Sequence, residues 1–579
     1  MKSYLKEISF LLNVSKVQIS IFVLYFILLS TLDLLGIGII GYSITLAVNP
    51  EEINGILGWG VDDLNHTFAI LGGFLFIAFS SKAFLGVWIN KIVFNFATEQ
   101  TIFLRSKLMK VYQLMPYEEY LKRSSSEYIN IIFGFTQQYA NQALVPLLRS
   151  IGDIFVAISI IIFLSFSDLF VLSVLVGLII LTVVAYDILI RDKATYYGHM
   201  ANTLSESIFR SISEGIKGFK EVKVLGKEEY FHQNLKAASV EHSYNYVQSQ
   251  VLAIIPRYFS ELLLVVFFML VVFKSIAFGE NLSLLLPTIG VFAAASVRLI
   301  PISNLISATL VSLRVARHGV SVMYGDLILY SEIDNSRVDS SHMDEDFKYL
   351  ELSNVSFAYN GSKYSALKDV SLKIKRGEVI GVIGESGSGK TTLIDVLLGL
   401  LKNQEGKILY NGKPLDFSSK RWSSKIGYLP QDIFIIEDTL LSNISLLKSC
   451  DYKKSNSLDN VLKSVDQAKL SKTIELLSDG LNTFLGENGV VLSGGQRQRV
   501  ALARVFFHDR EILIMDEATS ALDNDTEGEV IKEIYQLKGK KTIIVIAHNL
   551  STLKYCDRIY ELKNGSLINC RSYDDLTNR

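Results

Sequence analysis

Net charge is almost missing from this chain, since 57 Lys and Arg stand against 58 Asp and Glu and leave −1 at pH 7. A protein that grips nucleic acid by its phosphates presents a clustered basic surface, so this balance gives no support to nucleic acid as a partner. Cysteine is scarce too. Cys450, Cys556 and Cys570 fall towards the C-terminal end at spacings unlike any zinc or disulfide framework, and they read as thiols of a reducing compartment. The N-terminal stretch MKSYLKEISFLLNVSK has no small-residue cleavage site before the first long apolar run, so the expectation is an uncleaved membrane anchor. Hydrocarbon, by contrast, is abundant: 49% of the 579 residues are apolar and the mean hydropathy is +0.32. That excludes an ordinary soluble multidomain enzyme and reads as a membrane domain joined to a soluble one.

Six apolar stretches are long enough to cross a bilayer if single interrupting charges are allowed, at residues 17–48, 68–94, 143–166, 169–189, 251–278 and 284–306. Runs such as VLSVLVGLIILTVVA have no polar face at helical spacing, which disfavours buried helices of a large soluble core. The basic residues set the expected orientation. Lys2, Lys6 and Lys16 precede or open the first span, whereas the connection 49–66 holds four carboxylates and neither Lys nor Arg, which places it outside. The second connection, with Arg105, Lys107, Lys110, Lys122 and Arg123, and the fourth, with Arg191, Lys193, Arg210 and Lys217, then fall inside, and both termini are expected in the cytosol. These inside connections are long and helix-forming, so the helices are expected to continue beyond the membrane. The outer connection 49–66 groups Ile53, Ile56, Leu57 and Val61 near one face beside Trp59, and reads either as a short helix along the membrane surface or as a polar loop.

Between residues 331 and 347 the composition turns polar with no apolar period, which marks a linker between a membrane domain at 1–330 and a soluble domain at 348–579. In the soluble part short strand-like runs alternate with helical ones, a mixed α/β pattern. EVIGVI, GESGSGKTT and LIDVLLGLL follow one another as strand, glycine loop and helix, the setting a phosphate-binding loop requires. Gly384, Gly387 and Gly389 let backbone N–H groups turn inward towards phosphate, Lys390 reaches the terminal phosphates, and the Thr391 hydroxyl suits Mg²⁺. Farther on, Ile512 to Met515 lead into Asp516 and Glu517, paired carboxylates at a strand end: one acid to hold the metal and one to polarise water. LSGGQRQR lies between loop and carboxylates, SALD follows them, and IIVIAH ends in His548.

This ordered set resembles the ABC transporters, and the similarity extends over the whole chain. The resemblance implies that Tyr359 stacks on adenine and that Gly384, Glu385, Ser386, Gly387, Ser388, Gly389, Lys390, Thr391 and Thr392 bind ATP as the Walker A loop. It makes Gln431 the Q-loop residue, sharing Mg²⁺ with Thr391 and Asp516. Leu492, Ser493, Gly494, Gly495 and Gln496 become the signature that meets ATP held by another ATPase domain, and Asp523 belongs to the D-loop. Glu517 is the implied catalytic base, with His548 as switch histidine and Gln431 beside them. Asn549 stands where many relatives have arginine, and no catalytic role is lost by it. One ATPase domain after six spans is a half-transporter, so the implied fold is a six-helix exporter-type membrane bundle followed by a P-loop ATPase domain, working as a homodimer. Residues 204–231 resemble the exporter helix that runs down to the ATPase domain, and GENG at 486–489 resembles the exporter coupling loop.

Charges inside spans are expensive and usually face a cavity. Asp33, Lys82, Arg149, Asp153, Asp187, Arg257, Glu261 and Arg298 lie there. Arg149 with Asp153, and Arg257 with Glu261, are spaced to pair along one helix, whereas Lys82 and Arg298 have no neighbour of that kind. The stretches FSSKAFL, IIPRYFSELLL and SVRLIPISN around three of the bases resemble bacterial flippases for polyprenyl-diphosphate-linked oligosaccharides of protein N-glycosylation. That likeness implies an anionic lipid-linked substrate in a cavity lined by Lys82, Arg257 and Arg298, and the bacterial inner membrane as the location. Export of peptides, drugs or other lipids such as lipid A is the alternative.

Overall fold

In a computed structural model, residues 2–48, 64–278, 282–335, 345–415, 417, 420–447, 457–517, 524–547 and 550–577 are described. The chain divides into two compact units, Met1–Met115 with Leu121–Ile333, and Pro116–Tyr120 with Asp334–Arg579.

The first unit contains helices joined by short turns among its described residues, the longer ones being α1 (Lys2–Leu11), α2 (Lys16–Val48), α3 (Leu64–Leu114), α4 (Val145–Ser165), α5 (Leu169–Lys217), α6 (Glu228–Phe278), α7 (Leu282–Val315) and α8 (Arg317–Asn335). Among the described residues, six helical stretches are long and apolar enough to cross a membrane. Those in α3, α5 and α6 run well past the apolar cores read from sequence, as the helix-forming connections led us to expect. Asp168 starts α5, its carboxylate accepting from the N–H groups of Phe170 at 2.8 Å and Val171 at 3.0 Å. α4 is entered through two π-helical segments, Asn130–Phe135 and Tyr139–Leu144.

Proline and glycine act here through what they leave out. Pro256 lies inside α6 and cannot donate to the carbonyl four residues earlier. That carbonyl, on Leu252, accepts instead from the Tyr186 phenol of α5. Gly198 lets α5 approach the main chain of α7, because a Cβ there would stand 2.6 Å from Val315 Cα. Of the stretch 49–66 read as the outer connection, residues 49–63 lie outside the described residues and the rest open α3.

A single carboxylate ties together three parts of this unit. Asp326 on α8 accepts from the Tyr112 phenol of α3 at 2.6 Å and from both terminal nitrogens of Arg123 at 2.7 and 3.1 Å. Arg123 Nε also reaches Glu127 at 3.1 Å. Bidentate contacts of this kind are the stronger charge-assisted bonds.

The second unit contains a four-stranded antiparallel sheet in the order β2-β1-β4-β5, from β1 (Tyr349–Phe357), β2 (Leu367–Lys375), β4 (Glu405–Tyr410) and β5 (Lys413–Pro414). A six-stranded sheet has the order β10-β9-β3-β8-β7-β6, with β3 (Val379–Ile383), β6 (Ile426–Leu429), β7 (Ile512–Asp516), β8 (Thr542–Ile546), β9 (Arg558–Lys563) and β10 (Ser566–Arg571). All its pairings are parallel except that of edge strand β10. Strands β7 and β8 are buried at every position, as expected of parallel strands covered on both faces. Helices α9 (Lys390–Leu397) and α10 (Gly494–His508) carry the loop and signature motifs. Of the stretch 331–347 read as linker, residues 336–344 lie outside the described residues, α8 continues to Asn335, and Phe347 is buried against Tyr410 with ring centroids 5.7 Å apart. Polar composition does not end a helix already fixed by packing at Met323 and Leu327.

If Asp326 is the common anchor, Asp326→Ala should cost the first unit about 2 to 4 kcal/mol, because it removes the acceptor of the Tyr112 phenol and of both Arg123 terminal nitrogens and leaves Arg123 only Glu127. The check is the melting temperature of the purified chain. Unchanged melting would remove this clamp from the stability of the unit.

Candidate functional site

β3 ends in the glycine loop and α9 begins at its far side. Gly389, the residue before α9, has φ +105, and a Cβ on it would meet the Ala366 carbonyl oxygen at 2.5 Å, so only glycine closes this turn. Lys390 is buried, and its ammonium donates to the carbonyls of Gly384 at 2.7 Å and Glu385 at 2.9 Å, folding back over the loop that would cradle phosphate. Ser388 Oγ is buried in the loop with no hydrogen-bond partner among the described residues.

Around this loop opens a cleft of about 540 Å³ lined by Tyr359, Ser386, Gly387, Gly389, Lys390, Thr391, Thr392, Gln431, Asp516 and Glu517. The Tyr359 hydroxyl is 3.3 Å from Thr392 Oγ1, and its ring meets Phe357 edge-on. Asp516 ends β7 and is buried. Glu517 follows in the left-handed region at φ 48, with its N–H bonded to the Ile546 carbonyl at 3.0 Å. A non-glycine residue held there costs energy that the surroundings must over-determine. Gln431 donates to the Glu517 carboxylate at 2.7 Å, and Gln498 of α10 approaches the Glu517 carbonyl at 3.4 Å. The role of Gln498 was not legible from its place in LSGGQRQR, since nothing in that run marks which polar side chain turns inward.

Thr391, Gln431 and Asp516 share the cleft and offer hydroxyl, amide and carboxylate oxygens, the hard donors that Mg²⁺ takes, so the set fits that ion. Residues 492–496 do not line the cleft. Ser493 caps α10 instead, with Ser493 Oγ accepting from Gln496 N at 3.3 Å and Gln496 Oε1 accepting from Ser493 N at 2.8 Å. Asp523 and His548 lie outside the described residues.

The first unit holds a separate cluster. Asp33 of α2 pairs with Lys82 of α3 and, at 3.1 Å, with Arg298 of α7. Arg257 is instead paired with Glu261 at 3.1 Å and is exposed, so this chain brings two of the three candidate bases together and not the third. The helical spacing of Arg149 and Asp153 suggested a pair, but Arg149 reaches Asn90 at 2.7 Å and lies over the Phe94 ring.

Comparison with known proteins bears on both units. Residues 367–520 match the family model described as ABC transporter. Over 241 residues, 41% of this chain and 40% of the relative, the sequence is 36% identical to the ATP-dependent lipid A-core flippase of Ralstonia nicotianae. Over 228 residues, 39% of this chain and 38% of the relative, it is 36% identical to a Bacillus subtilis protein named, provisionally, a multidrug export ATP-binding/permease protein. The match therefore spans about two fifths of these relatives. Among solved structures, that of a bacterial Atm1-family ABC exporter with ATP bound superposes with a TM-score of 0.80 at 22% identity, covering 98% of this chain and 97% of that one. The chain thus shares the fold of that exporter structure, and residues 367–520 of its second unit match the ABC transporter model.

Asp395, five residues beyond Lys390 on α9, has its carboxyl pushed up to about 6, chiefly by burial and secondarily by the charge of Asp516. A raised carboxyl pKa favours the fold fully below the unfolded value near 4, and that contribution disappears as pH rises through about 6. Asp395→Asn should therefore stabilise the ATPase unit by about 1 to 2 kcal/mol at about pH 8, discounted for partial solvent screening, and by little towards about pH 4. Melting without nucleotide or divalent cation checks this, and a gain independent of pH would contradict it.

Proposed function

From an ABC transporter ATPase domain joined to an exporter-type membrane bundle, we propose that this chain hydrolyses ATP to move an anionic, lipid-linked substrate across the bacterial inner membrane as a homodimer with cytosolic termini. The observation that carries the ATPase half is the gathering of Lys390, Gln431, Asp516 and Glu517 in one cleft. Lys390 offsets the charge of the terminal phosphates. Glu517 polarises the attacking water, and the Gln431 amide holds its carboxylate in place. Thr391, Gln431 and Asp516 hold Mg²⁺, which when bound neutralises charge on the phosphate oxygens. His548 and Asp523 keep the switch and D-loop roles that the family resemblance implies. The second chain supplies residues 492–496 to close each site, which agrees with their absence from this chain's own cleft.

For the substrate, the supporting observation is the pair of bases gathered on Asp33. Lys82, Arg298 and Arg257 are the groups that replace the hydration of a diphosphate, and a polyprenyl-diphosphate-linked oligosaccharide is the reading they support best. Export of lipid A or of drugs is the second reading, favoured by the names of the relatives.

Glu517→Gln should retain ATP binding and lower phosphate release about 10²- to 10⁴-fold. Near-normal turnover would take Glu517 out of the base role. For transport, Arg257→Gln with Arg298→Gln should abolish flipping of a polyprenyl-diphosphate-linked sugar in liposomes, with nucleotide binding still measurable as evidence of folding. Wild-type flipping by that protein would shift weight to the second reading.

A further inference from the structure

The Asp33, Lys82 and Arg298 set contains its own counter-ion. Asp33 Oδ1 accepts from the Lys82 ammonium and is also the partner of Arg298 Nε at 3.1 Å. Side-chain exposure falls from 36% at Arg298 to 16% at Lys82 and 6% at Asp33. An incoming anion therefore meets the guanidinium first and the carboxylate last. Asp153 of α4 is close enough for its charge to reach Asp33, and Arg149 of the same helix acts on Asp153 more strongly still, so two acids stand among three bases. This is not the open positive pocket that the three bases alone would make.

We propose that Asp33 sets a charge threshold on this site, giving up Lys82 and Arg298 only to a head group that carries more negative charge than one carboxylate. The proposal rests on the anionic-lipid reading above and makes Asp33 a specificity-determining residue for it. A singly charged phosphodiester, as in phosphatidylglycerol, can take Arg298 while Asp33 keeps Lys82, but it cannot engage both cations without stranding Asp33 in low-dielectric surroundings. A diphosphate brings more charge and more acceptor oxygens, enough to engage the ammonium and the guanidinium together. The threshold matters because bulk anionic lipid vastly outnumbers any transported lipid, and an uncompensated cationic cavity would fill with it.

The test is equilibrium binding of a labelled polyprenyl diphosphate to the purified dimer in nanodiscs of phosphatidylcholine, with or without phosphatidylglycerol. For the wild type, phosphatidylglycerol should change the apparent affinity by less than about twofold, and for Asp33→Asn it should weaken binding about tenfold or more. Asp33→Asn leaves two neighbouring cations without their shared carboxylate and can misfold, so Asp33→Asn/Lys82→Gln is the second variant. It has the wild type's net charge without the competing carboxylate, and it should show the same sensitivity as Asp33→Asn. Insensitivity of the double variant would mean that net charge alone sets selectivity, which overturns the proposal. So would a wild type that phosphatidylglycerol displaces tenfold. A wild type that binds no polyprenyl diphosphate in either lipid would instead sink the substrate reading on which the proposal stands.

Discussion

A bilayer offers a peptide group nothing to bond to, and that constraint governs the first unit. It accounts for the helices and for how their exceptions are repaired. Pro256 leaves the Leu252 carbonyl without its usual donor, and the Tyr186 phenol from the neighbouring helix takes that place. The same constraint explains the charges. An ion carried on one of these helices finds its partner on another helix or a turn away on its own, and Asp33, Arg314 with Asp187, and Arg257 with Glu261 show both solutions.

In the second unit the governing geometry is the parallel sheet. Strand β8 separates β3 from β7, and each of these buried strands ends where its loop begins. Ligand sites form in such a crevice outside the carboxyl ends of the strands. The Lys390 loop and the Asp516–Glu517 step share one cleft because their strands are nearly adjacent, although their sequence positions are far apart.

What the sequence disclosed divides along the range of the interaction. The six apolar stretches, the glycine loop and the paired acids are local patterns, and the helices and cleft lie where those patterns put them. Contacts between distant segments were not legible. The sequence offers Asp33 as a carboxylate for these bases but does not disclose that Lys82 and Arg298 share it, and Arg149, spaced to pair with Asp153, makes its hydrogen bond to Asn90 on a neighbouring helix. The β4–β5 hairpin escaped notice because its strands are short and largely exposed, with little alternation to read. Gln498 escaped because its partner is a main-chain carbonyl nineteen positions away.

The Asp326 carboxylate carries a consequence for motion. Tyr112 and Arg123 sit on opposite sides of residues 116–120, which belong to the other compact unit, yet both are fastened to one side chain on α8. Two tethers on a single pin are coupled through it, since losing the pin releases both. In hydrogen exchange the stems before and after that segment would then open as one cooperative unit with a shared free energy, and whatever tension reaches one of them is divided with the other through α8.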